Sequence, residues 1–287
     1  MATKKKEYEI LEFYGGRARI EKVPYGDYFR YRKIGEKSYL ISSTKVTGHL
    51  DKSSALIPWA CGVVASHMTN YVETSTSETF TREEMMMVAT EARGKPDEAK
   101  VKGGDTGSII HDFAYDFSRS KTHGTPAPTL DHINEEDPEG IKALNGINAF
   151  LEWYNTNRVE FIKAEYAIYY NSFLAGDTKE GETVIEYIGI IDCVARVNGR
   201  IFVIDYKSSK GIYDDQRFQV SSYVKGWNTD RKNGDKEMAE GMLLLNFNKE
   251  TGEAIIKEYS LEEVRADFDL GFRGLYLAAL RVKELAK

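Results

Sequence analysis

Three side chains in one short stretch have the types and spacing to do chemistry together. Asp192, Asp205 and Lys207 fall within Gly189-Ile-Ile-Asp-Cys-Val-Ala-Arg-Val-Asn-Gly-Arg-Ile-Phe-Val-Ile-Asp-Tyr-Lys207, two apolar, β-branched runs joined by Asn198-Gly199. Asn-Gly between such runs is the strongest short signal for a two-residue type I′ hairpin. With Asn198 and Gly199 at its centre, Val197 pairs with Arg200 and Asp192 stands directly opposite Asp205. Cross-strand neighbours have Cβ atoms roughly 4.5–5.5 Å apart. Two carboxylates that close in an apolar setting repel unless a cation lies between them. Alternation along the strand puts Lys207 on the face of Asp205. The spacing therefore predicts a small anionic cleft with one ammonium at its rim.

Carboxylate oxygens without a cysteine partner select hard cations such as Mg²⁺ or Mn²⁺, as one ion or two. Such ions polarise a phosphoryl group and lower the pKa of bound water. A lysine beside that water can orient or deprotonate it. Glu165 lies on a strand predicted from Phe161 to Tyr170, which spreads Glu165, Asp192 and Asp205 over three adjacent strands. The chemistry these residues suit is phosphodiester hydrolysis.

The elements that must position them follow from periodicity and punctuation. Residues 7 to 45 alternate apolar or aromatic with polar residues, and Gly15-Gly16, Gly26 and Gly35 break the runs. This predicts an antiparallel β unit over 1–48, its basic residues forming a solvated sheet face in preference to a nucleic-acid contact. A helical region over 49–158 begins with an apolar helix through Met68, with Pro58 in its first turn. His67 on it reads as a packed or surface histidine. A second helix starts at the capping box Thr81-Arg-Glu-Glu84, with Phe80 and Met85 as its staple. Residues 93–106 read as a polar, glycine-rich connection. A helix over 107–119 then carries Ile110, Phe113, Ala114 and Phe117 as a stripe, with His111 at its border. After a proline-marked loop over 120–138 comes a helix over 141–154. The core over 159–287 adds a helix at 214–228, strands at 242–247 and 254–259, and one amphipathic helix at 261–285. On the helix at 214–228, Gln219 and Tyr223 lie one turn apart.

Composition sets the outer limits. The chain has 287 residues, 41% hydrophobic and 12% aromatic, with a formal charge of −6, so it can bury a substantial core. Net negative charge argues against indiscriminate nucleic-acid binding and leaves room for a local basic groove, for which Lys210 and Arg217 are candidates. Cys61 and Cys193 read as buried free thiols and cannot build an iron–sulfur cluster. The start, Met-Ala-Thr-Lys-Lys-Lys-Glu, lacks the apolar run of a signal peptide. No run of ~18 apolar residues is present to span a membrane. These features predict a soluble, cytoplasmic protein.

Gly189-x-x-Asp192, Asp205-x-Lys207 and Gln219-x-x-x-Tyr223, preceded by helical His111 and strand-borne Glu165, form an ordered series over residues 107–247. It resembles the PD-(D/E)xK nuclease superfamily, and within it the RecB-type exonuclease branch. Ser42-Ser-Thr44 through Pro58-Trp59-Ala60 is also similar to phage-encoded exonucleases and the mitochondrial genome-maintenance exonuclease. The resemblance implies an α/β, restriction-endonuclease-like fold, a mixed β-sheet core flanked by helices with an N-terminal β unit and helical region. It implies that Asp192 and Asp205 bind the metal with the Tyr206 carbonyl, that His111 is a further ligand and that Lys207 is the catalytic lysine. Gln219 and Tyr223 would position DNA. The implied activity is a Mg²⁺- or Mn²⁺-dependent DNA exonuclease in recombination, repair or phage DNA metabolism inside a bacterial host. A single-strand annealing or binding protein is a candidate partner. An endonuclease of the same fold and a non-catalytic DNA-binding or assembly module remain open alternatives.

Overall fold

The Asn-Gly hairpin organises the structure. In the computed structural model, which describes residues 8–26, 28–230 and 237–285, Asn198 and Gly199 both adopt left-handed backbone, φ 51° and 92°. A type I′ turn requires this of both central residues. The lysine-rich start lies outside the described residues. The strands on either side of the turn are β5 (Glu186–Val197) and β6 (Arg200–Lys207), paired from Val197–Arg200 to Cys193–Ile204. That is the predicted register, and it ends one pair short of Asp192 and Asp205.

Before the hairpin come β1 (Glu9–Phe13), β2 (Ala18–Tyr25) and β3 (Tyr28–Lys33), an antiparallel sheet of their own. Helices α1 (Ser43–Thr47), α2 (Ser53–Thr74), α3 (Arg82–Ala92), α4 (Lys95–His123) and α5 (Pro138–Thr156) follow. Next are β4 (Val159–Asn171) and the short α6 (Ser172–Ala175). After the hairpin come α7 (Asp214–Thr229), β7 (Gly241–Phe247), β8 (Ala254–Ser260), α8 (Leu261–Ala266) and α9 (Arg273–Leu285). The main sheet has the order β4-β5-β6-β7-β8. Only β6 and β7 run parallel, and α7 supplies the crossover that parallel neighbours need.

Both faces of the sheet are covered, which gives a mixed, restriction-endonuclease-like α/β core. On one face Val203, Leu244 and Met242 pack against Val220, Tyr223, Val224 and Trp227 of α7. On the other, Ile204, Tyr206, Leu243 and Leu245 pack against Ile110 and Phe113 of α4 and Ile147 and Phe150 of α5. Each large apolar side chain so buried is worth roughly 1.5–3 kcal/mol. The N-terminal sheet joins through Phe13, Tyr14 and Ile20, which pack on Tyr169 and Ile188.

The structure corrects four details. Residues 95–106 are the first half of the long α4 and not a connection. Pro96 fits a first turn, where its missing N–H is not needed, and Asp97 and Glu98 suit that helix end. Tertiary contacts hold the Gly103-Gly104 stretch helical: Thr106 Oγ1 donates to Glu139 at 2.6 Å and Lys249 Nζ to the Gly103 carbonyl at 2.9 Å. Pro58 sits inside α2, beyond its first turn. Cys61 is exposed, whereas Cys193 is buried as expected. The helix expected over 261–285 is interrupted by a π-helical turn at Asp267–Phe272, which brings Phe268 and Phe272 together onto Tyr187.

Candidate active site

The ladder stops where the carboxylates begin, and a side chain takes its place. Asp192 Oδ2 accepts from the Tyr206 backbone N–H at 2.8 Å. On the other edge of β5, the pairs Ala164–Cys193 and Tyr166–Ile191 flank Asp192 and put Glu165 across from it. Glu165 has φ 47°, a left-handed conformation that costs a non-glycine residue about 1–2 kcal/mol. So Glu165, Asp192 and Asp205 form a row across three strands, in the one place where both ladders are interrupted.

Asp205 is 2% exposed. Its Oδ2 touches the Lys207 ammonium, yet it accepts no hydrogen bond of good geometry. Burial, only partly offset by Lys207 and reinforced by the charge of Asp192, pushes the Asp205 carboxyl up to about 6. Burial also raises Asp192, against the opposing pull of Lys207 and the Tyr206 N–H. Burial acts to lower the Lys207 ammonium, but Asp205 and Asp192 outweigh it and raise its pKa. Lys207 therefore stands in the site as a cation. Its sequence left two roles open; a firmly held proton favours orienting and charge stabilisation over proton abstraction.

His111 comes from α4, on the far side of Asp192, with Nδ1 3.8 Å from Asp192 Oδ2. Burial and the nearby Lys207 lower its pKa, against Asp205, Asp112 and a hydrogen bond to the Tyr206 backbone. The imidazole is thus held neutral, with a lone pair to give. Gly107, one turn before, lets the helix come close: a Cβ there would lie 2.7 Å from Ser208 Oγ, just past Lys207.

On the opposite flank, Gln219 Nε2 donates to the Tyr223 hydroxyl at 2.6 Å and to Thr44 Oγ1 at 2.9 Å. Burial and the two aspartates raise the Tyr223 pKa. Thr44 belongs to a segment that periodicity did not single out. The Ile188 N–H donates to the Ile41 carbonyl and Ser42 pairs beside Ile188, adding a short parallel bridge to β5 where β6 leaves it, and Ser42 caps α1. Ser43 then donates to the Ile188 carbonyl and meets Ser222 of α7. Tyr115 of α4, which the sequence did not single out, lies near Glu165, and burial together with the charge of Glu165 raises the Tyr115 pKa.

The remaining expected contacts divide. Lys210 is exposed on the loop after β6. Arg217 is not presented as a free phosphate contact: Nη2 and Nε bond Asp267 at 2.8 and 3.2 Å, and its guanidinium lies over Tyr259. It fastens α7 to the π-helical turn, because a half-buried guanidinium is most stable on a bidentate carboxylate.

Among the described residues no three His, Cys, Asp or Glu side chains converge tightly enough to hold an ion unaided. Mg²⁺ does not require three, since it is usually bound through one or two carboxylates and keeps several waters. The donor set of Asp192, Asp205, a backbone carbonyl and a neutral imidazole fits such an ion, and Asp205 Oδ2, which accepts no well-formed hydrogen bond and meets the Lys207 ammonium, is the atom that would turn to it.

A model of the PD-(D/E)XK nuclease superfamily matches residues 80–284. The chain belongs to that superfamily. It is a nuclease of a family whose members generally use Mg²⁺ or Mn²⁺. The matched span runs from the residue before the α3 cap into the last turn of α9, so it contains His111, Glu165, the hairpin and α7. No curated protein matches the nuclease at a significant level. A solved structure titled "Crystal structure of SSO0001" aligns with 11% identity over 74% of this chain and 87% of its own, at a TM-score of 0.27, a likeness too slight to weigh on function. Among the described residues no helix is long and apolar enough to cross a membrane.

Proposed function

We propose that this nuclease is a divalent-metal-dependent exodeoxyribonuclease of the RecB type. The observation that carries it is the row of Glu165, Asp192 and Asp205 with the Lys207 ammonium on Asp205, flanked by His111 and by the Gln219–Tyr223 pair. Asp192, Asp205 and the Tyr206 carbonyl would hold the ion, with His111 as a further ligand. The bound ion would polarise the scissile phosphoryl group and acidify water.

The chain's own residues do the rest. Lys207, kept cationic, donates to a phosphate oxygen or fixes the attacking water, where a charge already in place costs no reorganisation. Glu165 stands exposed at the rim and can accept that water's proton. Gln219 and Tyr223, tied to Thr44, form a polar wall beside the carboxylates against which a DNA strand would lie. Exposed Lys210 would meet its backbone. The resemblance to phage and mitochondrial exonucleases supports a place in recombination, repair or phage DNA metabolism, where the trimmed strand would pass to an annealing or binding protein.

End-labelled linear and circular DNA, single- and double-stranded, distinguish the readings when incubated with Mg²⁺ or Mn²⁺. Mononucleotides or short oligonucleotides from linear DNA alone are expected. Cutting of circles would make the protein an endonuclease, and binding without cutting a non-catalytic module.

A further inference from the structure

Asn246 lies near the end of β7, completely buried. Neither its Nδ2 nor its Oδ1 has a hydrogen-bond partner. A buried amide left unpaired costs about 1–3 kcal/mol per group, and an apolar residue of the same shape avoids that cost. The rest of β7 is apolar apart from Gly241: among Met242, Leu243, Leu244, Leu245 and Phe247, Asn246 is the one polar side chain. Folding alone therefore gives no reason for asparagine here.

Its place in the sheet supplies one. In the parallel register of β6 and β7, Asp205 is beside Leu244 and Lys207 beside Asn246. Residues in register on neighbouring strands project from the same face. Val203 and Leu244 pack into the core under α7, so Asp205, Lys207 and Asn246 share that face. Asn246 has no exposed atom with which to touch a substrate, and what it does it must do through a neighbour. The titratable neighbour in its register is Lys207, whose ammonium rests on Asp205 Oδ2, the oxygen assigned above to the metal.

We propose that Asn246 is a positioning residue for Lys207. Its Oδ1 is the acceptor that receives the ammonium when Asp205 is engaged by a divalent ion, and so keeps the charge beside the phosphate. Without it, the ammonium and the ion compete for one carboxylate oxygen. The inference rests on the reading of Asp205 as a metal ligand.

Two substitutions test it in the full-length protein: Asn246→Leu, which removes the amide, and Asn246→Asp, which keeps an oxygen in the same place. Three quantities are measured for each: Mn²⁺ affinity by calorimetry, metal-free melting temperature, and kcat and KM on linear DNA. For Asn246→Leu the metal-free Tm should hold or rise, while Mn²⁺ affinity and kcat each fall about 10–100-fold, the usual range for a group behind a ligand. KM should stay within about twofold, because Asn246 does not meet DNA. Asn246→Asp should recover most of the Mn²⁺ affinity. Wild-type affinity and kcat in Asn246→Leu would overturn the assignment, leaving Asn246 a tolerated defect. Should Asn246→Leu fold poorly, a folded Asn246→Asp with Mn²⁺ affinity and kcat lowered about 10–100-fold would overturn it too. A wild-type protein that neither binds Mn²⁺ nor cuts DNA would instead remove the metal reading underneath, and the Asn246 assignment with it.

Discussion

The ring of Tyr223 occupies the space that a side chain on Gly189 would need: a Cβ there would stand 2.5 Å from Cε1 of the tyrosine and 2.9 Å from Ser43 Oγ. Gly189 is three residues ahead of Asp192, so this contact sets how close α7 and α1 come to the carboxylates. Gly189→Ala should therefore push Tyr223 and Gln219 outward. The expected cost is about 1–3 kcal/mol, as for other overpacked sites, with a fall in turnover. Gly189→Ala should cost less in a Tyr223→Ala background than in wild type, which a double-mutant cycle on Tm would show. Strictly additive losses would mean that the two residues do not meet.

Glu165 pays for its place opposite Asp192 in backbone strain. Glycine adopts φ 47° freely and alanine does not. Glu165→Gly should be more stable than Glu165→Ala by roughly 1 kcal/mol, the reverse of the usual order inside a strand. Both should lose turnover on DNA. Denaturant midpoints of the two variants check the order, and an alanine variant the more stable of the two would refute the left-handed conformation.

The metal-free protein should carry a pH signature at Asp205. Its folded carboxyl is raised to about 6, so the fold prefers the neutral form. Wild-type stability should therefore decline as pH rises from about 4 through 6, and stay lower above that window. Asp205→Asn lacks the ionisation and should match wild type near pH 4 and exceed it at pH 7, by an amount on the order of 1–3 kcal/mol. Melting curves in chelator at the two pH values decide it. A variant less stable than wild type at pH 7 would mean that the Lys207 contact more than offsets the burial of the charge.

His111→Ala should weaken divalent binding and cost Mn²⁺ more than Mg²⁺, because imidazole suits the softer ion. Titration calorimetry with each ion reads this directly. Unchanged isotherms would make His111 a packing residue of α4.

Much of this architecture was legible in the chain because it rests on local signals. Asn198-Gly199 fixed the hairpin and with it the register from Val197–Arg200 to Cys193–Ile204, which stops one pair short of Asp192 and Asp205. Thr81 and Glu84 form the expected capping box at the start of α3. Long-range terms hid the rest. The first half of α4 looks like a loop because what holds its glycines, the Thr106–Glu139 and Lys249–Gly103 contacts, comes from residues far along the chain. Arg217 reads as a phosphate contact until Asp267 of the π-helical turn meets it. The left-handed Glu165 leaves no mark in a strand pattern, and nothing in an apolar run announces that Asn246 ends up beside Lys207.

The central claim is that Asp205 and Lys207 act together in metal-dependent hydrolysis, one holding the ion and the other its charge. The most direct measurement is turnover of end-labelled linear DNA by wild type and Lys207→Ala, with Mg²⁺ and in excess chelator, beside the Mg²⁺ isotherm of each protein. Wild type should cut only with Mg²⁺. Lys207→Ala should lose at least about 100-fold in kcat, within the range for a lost electrostatic contact to the transition state, while still binding Mg²⁺. Cutting that persists in chelator, or a Lys207→Ala protein as active as wild type, would contradict the account.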